Sequence, residues 1–204
     1  MKRSHLLIPG ALARRSQRIA ARLLGLIGWH VHFAPLPGPC GVIVVYPHTS
    51  NWDFIVGMLA KVAVGVRIRW LGKEALFSGV FGFFFGRLMR RWGGEPVVRS
   101  MSTGAIERLA QRMHAADWFW LAITPEGTRS YRPYWRSGFY HIALAADVPV
   151  ALAFIDYEHK AIGVVEHIRL SGEVDADMAR IRDAYVDCRG LRPEWAAPVV
   201  LREN

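Results

Sequence analysis

Acidic side chains are missing from the first 52 of the chain's 204 residues, a span that holds six Lys and Arg; the first carboxylate is Asp53. The imbalance continues: residues 1–150 carry 19 Lys and Arg against 7 Asp and Glu, whereas residues 151–204 carry 7 against 10. A basic, aromatic-rich front half points to an anionic partner, whether nucleic acid, acidic lipid or a phosphorylated substrate, and charge alone does not choose among these. Cysteine is scarce too. Cys40 and Cys188 lie far apart with no ligand-like spacing, which excludes a zinc site or disulfide scaffold and makes a reducing compartment the default. No apolar run reaches the ~18–20 residues needed to span a bilayer. The N-terminal apolar stretch is short, contains Pro9 and runs into Arg14 and Arg15, so a cleaved signal peptide is not expected. What is abundant is apolar surface, 52% of residues with 12% aromatic, enough for one domain with a sizeable core.

Along the chain, helical and extended patterns alternate. Residues 12–27 interleave Leu12, Ile19, Leu23, Leu24 and Leu26 with Arg14, Arg15, Arg18 and Arg22, a basic amphipathic helix that either covers the core or lies in a membrane interface. A turn-rich connector, APLPGPCG, leads to a buried strand at 42–46. A helix is predicted over 53–65 and a strand over 66–72. Residues 75–92 are the most apolar part of the chain, five phenylalanines among glycines followed by Arg87, Arg90 and Arg91. They suit a core helix or a segment dipping into lipid. Helices are then predicted at 101–116, 138–146 and 175–189, with strands at 118–123, 148–156 and 160–170. This alternation implies a single layered α/β domain with a mainly parallel central sheet flanked by helices.

In such sheets, sites gather beyond the carboxyl ends of strands. Two polar clusters fall there: PHTSNWD after residues 42–46 and TPEGTRS after 118–123. In the first, Ser50 is a plausible N-cap with Asp53 at the third helical position. His48 would then sit outside the helix, over its mouth, where Asp53 can orient one ring nitrogen and leave the other as a base. No protein nucleophile accompanies the pair, which points to a hydroxyl on a substrate. The alternative is an Asp cap with His48 packed against Trp52. In the second cluster Glu126, Gly127, Thr128, Arg129 and Ser130 combine a tight turn with an arginine able to grip phosphate bidentately; the alternative is a turn with an Arg–Glu ion pair. A third cluster, GGEPVVRS, ends in Arg99 and Ser100.

Taken together, the motifs resemble the phospholipid/glycerol acyltransferase family, whose bacterial type is 1-acyl-glycerol-3-phosphate acyltransferase. His48 and Asp53 meet its HxxxxD signature, Gly94 to Arg99 its GxxxxR pattern, Glu126 to Ser130 its EGTRS, and Val148-Pro149-Val150 its VP strand. The resemblance covers about residues 40–155. It implies a fold and an activity: His48 deprotonates an acceptor hydroxyl, Asp53 orients it, and Arg99, Glu126, Gly127, Thr128 and Arg129 bind the phosphate and glycerol end of lysophosphatidic acid. The acyl donor is acyl-CoA or acyl carrier protein, and no metal or prosthetic group is implied. Pro47, Thr124-Pro125 and the missing second proline after Pro149 depart from the usual pattern, all near the acceptor pocket.

The resulting expectation is a peripheral enzyme on the cytoplasmic face of the membrane. Residues 1–30 form a basic amphipathic helix and membrane-interface anchor, and residues 31–204 form the acyltransferase domain. The partners are a lipid surface, the acyl donor and a lysophospholipid, with no nucleic acid. The competing readings are transfer to a different lyso-lipid, or a non-catalytic protein that binds lipid or nucleic acid.

Overall fold

The structure, a computed structural model, describes residues 14–72, 74, 77–78, 86–96 and 103–202. Most of the Phe-rich segment, Arg99 and the first thirteen residues therefore lie outside the described residues.

Seven strands form one sheet. In chain order they are β1 (His30–His32), β2 (Cys40–Tyr46), β3 (Arg69–Gly72), β4 (Gly94–Pro96), β5 (Phe119–Ile123), β6 (Val150–Asp156) and β7 (Ala161–Ile168). Their spatial order is β1-β7-β6-β2-β5-β3-β4. Every neighbouring pair is parallel except β6 and β7, which a tight turn joins as an antiparallel hairpin. The helices are α1 (Arg15–Leu26), α2 (Trp52–Val64), α3 (Arg87–Arg91), α4 (Thr103–His114), α5 (Gly138–Ala145) and α6 (Val174–Ala184).

Strand alternation sorts the core into two layers. Val42, Val44, Leu121, Ile123, Val150, Leu152 and Phe154 face one way. They pack with Ala110 and Met113 of α4, Phe139 and Ile142 of α5, and Met178 and Ile181 of α6. On the other face, Ile155 and Ile162 meet Ala20 and Leu24 of α1 and Val56, Ala60 and Ala63 of α2. Val42, Val44 and Leu121 are fully buried, and each such side chain contributes about 1.5–3 kcal/mol relative to exposure. The layered, mainly parallel α/β architecture expected from the pattern is the one observed.

Helices α1 and α2 lean on each other through one buried amide. Gln17 accepts a hydrogen bond from the Arg14 N–H at its own helix start and donates to the carbonyl of Ala63. The chain leaves α2 at Gly65 with φ +76°, where a β-carbon would lie 2.3 Å from the Gln17 amide nitrogen. Glycine is required there for both the left-handed turn and the close approach.

In α1 the apolar residues divide between core and solvent. Gln17, Ala20 and Leu24 face the core, while Ile19, Leu23, Leu26 and Ile27 are exposed beside Arg15, Arg18 and Arg22. The short edge strands β1 and β4 were not anticipated, since three residues carry no readable period.

Candidate active site

Parallel pairing aligns three strand ends. Val44 lies opposite Ile123 of β5, and Tyr46 lies opposite Phe154 of β6. The residues that follow each strand, His48, Glu126 and Tyr157, therefore emerge at the same edge of the sheet, the edge where α/β sheets carry their sites.

After β2 the chain passes a cis Tyr46–Pro47 peptide and enters α2. Asn51 already has helical dihedrals, φ −67° and ψ −25°, which makes Ser50 the capping residue. Its hydroxyl accepts the Trp52 N–H at 3.1 Å, and Asp53 Oδ2 accepts the Ser50 N–H at 2.8 Å. This reciprocal arrangement is a capping box with aspartate in the return position. It turns the His48 ring over the helix mouth, with Nδ1 3.1 Å from Asp53 Oδ2. The approach is close but oblique, short of a well-aligned hydrogen bond. Asp53 is 2% exposed. Trp52, by contrast, is exposed.

Glu126 is also buried, and its carboxylate is committed. Oε2 accepts the His48 backbone N–H at 2.6 Å, and Oε1 accepts the Ala197 N–H at 3.0 Å. Burial pushes its pKa up, against the two hydrogen bonds that favour the charged form. Glu126 thus ties three segments together: the His48 loop, its own turn and the C-terminal stretch. Gly127 follows with φ +66°, and a β-carbon there would lie 2.7 Å from Arg136 Nε. Thr128 accepts the Ser130 N–H at 3.3 Å, which tightens the turn. Arg129 is half-buried, and its Nε is enclosed with no hydrogen-bond partner among the described residues. An enclosed guanidinium donor without an acceptor is costly unless an anion completes it.

His48, Asp53, Glu126, Gly127, Thr128 and Arg129 are therefore brought to one edge. Arg99 lies outside the described residues. From its motif, Glu95 is engaged elsewhere: Arg69 and Arg112 both donate to it. Burial works to raise its pKa, and these two arginines bring it below the ordinary value.

Three supports were not anticipated. Tyr157 donates its O–H to Asp53 Oδ1 at 2.7 Å. Thr49 Oγ1 accepts the Arg192 N–H at 3.2 Å. Tyr46 donates its O–H to the Ala197 carbonyl at 3.0 Å, and burial pushes its pKa up to about 12. The only available signal for Tyr157 was its place just beyond the strand that begins Val148-Pro149-Val150. Among the described residues, no group of three or more His, Cys, Asp or Glu is placed to hold a metal ion.

A family model described as Acyltransferase matches residues 30–153, which takes in both motifs at the sheet edge. Comparison with curated proteins finds no match. Among solved structures, the chain resembles the crystal structure of the 1-acyl-sn-glycerophosphate (LPA) acyltransferase, PlsC, from Thermotoga maritima. The TM-score is 0.54 at 16% identity, covering 82% of this chain and 73% of that one. At that identity the likeness concerns the fold. With more than half of its length inside the family model, and with a His–Asp pair at the strand end where acyl-transfer chemistry needs a base, the chain belongs to the acyltransferase family.

Proposed function

We propose that this acyltransferase moves a fatty acyl group from acyl-CoA or acyl carrier protein to the free hydroxyl of lysophosphatidic acid, 1-acyl-glycerol-3-phosphate. The observation that carries the reading is His48 Nδ1 lying 3.1 Å from Asp53 Oδ2, on the same sheet edge as Arg129, whose Nε has no hydrogen-bond partner among the described residues.

In this reading the Asp53 carboxylate holds His48 Nδ1, and Nε2 takes the proton from the acceptor hydroxyl. The alkoxide oxygen attacks the thioester carbonyl carbon, and the carbonyl electrons move onto oxygen. Collapse of that tetrahedral oxyanion breaks the C–S bond. The departing thiolate takes the proton back from the imidazolium, which returns the enzyme to its starting state. Arg129, with Arg99 and the backbone around Gly127 and Thr128, grips the acceptor phosphate. Glu126 keeps the Arg129 turn and the His48 loop at a fixed spacing.

The same reading makes the protein a peripheral enzyme on the cytoplasmic face of a membrane. Among the described residues no helix is long and apolar enough to cross one. However, α1 and α2, which cover the same sheet face, expose Ile19, Leu23 and Leu26 and, on α2, Trp52, Ile55 and Val62. Arg15, Arg18 and Arg22 flank the α1 stripe. Apolar side chains with cations beside them suit an anionic lipid interface.

The test is acyl transfer from acyl-CoA and acyl carrier protein across a panel of lyso-lipid acceptors, with His48→Ala beside the parent. The expected result is turnover of lysophosphatidic acid that falls by at least ~10³-fold in His48→Ala, with vesicle association retained. Inert lysophosphatidic acid beside a reacting lyso-lipid overturns the acceptor; undiminished turnover in His48→Ala overturns the base.

A further inference from the structure

The carboxylate of Asp53 is held at both oxygens. Oδ2 accepts the Ser50 N–H and faces His48, and Oδ1 accepts the Tyr157 O–H at 2.7 Å. The last torsion of an aspartate is broad and roughly two-fold. A carboxylate fastened at one oxygen can therefore swivel in its plane of contact. A second donor on the other oxygen fixes that plane, and with it the direction in which Oδ2 meets the imidazole.

Tyr157 is itself clamped. Its ring stands edge-on to Trp29, with centroids 4.9 Å apart and planes at 90°, and Trp29 is buried. Its backbone N–H donates to the Arg189 carbonyl at 2.8 Å. The turn that carries it is tightened by fully buried Asp156, which accepts the Glu158 N–H and lies 2.7 Å from His159 Nδ1. Burial, and next the hydrogen bond to Asp53, raises the phenol pKa, so the hydroxyl remains a neutral donor.

We propose that Tyr157 is a positioning residue of the acyl-transfer site: its hydroxyl locks the Asp53 carboxylate and so sets the orientation of His48. The inference rests on the reading of His48 as the base. Tyr157 lies beyond the region matched by the family model, which ends at residue 153, and belongs to neither motif.

The experiment is Tyr157→Phe, which keeps the ring against Trp29 and removes only the hydroxyl. The expected result is a fall in kcat of roughly tenfold, with KM for donor and acceptor within about twofold of the parent and a modest drop in thermal midpoint, since Asp53 Oδ1 loses its donor. The downfield proton of the His48 Nδ1–H, followed by NMR, should shift or broaden. Parental kcat, or a loss carried by KM, overturns the proposal. Trp29→Phe keeps the hydroxyl and loosens the ring that aims it; a kcat loss no larger than that of Tyr157→Phe is expected, and a larger one assigns the effect to packing and overturns the proposal too. His48→Ala assayed in parallel separates the two readings. Turnover that survives there removes the base itself, whereas an inactive His48→Ala beside a fully active Tyr157→Phe removes only the role of Tyr157.

Discussion

His48 is held from two sides by two carboxylates with different tasks: Glu126 binds its backbone N–H at 2.6 Å, and Asp53 faces its ring at 3.1 Å. Glu126 fixes where the His48 backbone stands, and under the proposed mechanism Asp53 sets which way the ring points.

Glu126→Gln separates these tasks. Its two oxygens serve two backbone donors, from His48 and Ala197. A glutamine has one acceptor oxygen, so one N–H would meet an NH₂ instead. The expected outcome is a loss of about 1–3 kcal/mol in unfolding free energy, read by urea titration, together with a fall in kcat. Parental stability with parental kcat would show that the carboxylate is dispensable.

Asp177 anchors the start of α6 against α5, and its effect depends on pH. It is buried and accepts hydrogen bonds from Tyr140 Oη at 2.7 Å, the Ser171 N–H and hydroxyl, and the Gly172 N–H. Burial alone would raise its pKa, but these donors together bring it below the ordinary 3.8. A depressed carboxylate contributes stability that is fully present above its unfolded value and is lost as pH falls through the folded one. Asp177→Asn is therefore expected to cost about 3 kcal/mol at neutral pH. The gap to the parent should narrow below pH 3.8. A gap of constant size down to pH 2 would contradict the linkage.

Membrane association through α1 predicts a steep dependence on its arginines. Removing three cations from an interface with anionic lipid, at about 1 kcal/mol each, weakens partitioning by roughly 10²-fold or more. Flotation of the Arg15→Gln/Arg18→Gln/Arg22→Gln variant with anionic vesicles at low salt measures this. A parent that never floats would remove the interface altogether.

How much of this was legible in the sequence follows from how local each feature is. The capping box is contained in Ser50 to Asp53, so the geometry that turns His48 toward Asp53 could be read from spacing. Strands β2, β5 and β6 announce themselves as short β-branched or aromatic runs, and their ends located the two motifs. The position of Glu126 at a strand end was readable. Its engagement was not, because the donor that completes it, Ala197, is 71 residues away. Tyr157 reaches Asp53 across 104 residues, by way of β6 lying beside β2. For α1 the stripe of leucines was legible, but which stripe faces the core was decided by the small and polar residues that let α2 approach, Gln17 and Ala20. Hydrophobicity alone points to the other side.

The reliance of the His48 loop on distant hydrogen-bond partners has a consequence for synthesis. A nascent chain that has emerged only as far as residue 153 already carries His48, Asp53 and the whole EGTRS turn. It still lacks Tyr157 for Asp53, Arg192 for Thr49 and Ala197 for both Glu126 and Tyr46. His48 and Asp53 are thus made early and fully fastened late: Ser50 and Glu126 already reach them, but the contacts from Tyr157, Arg192 and Ala197 are complete only when residue 197 has left the ribosome.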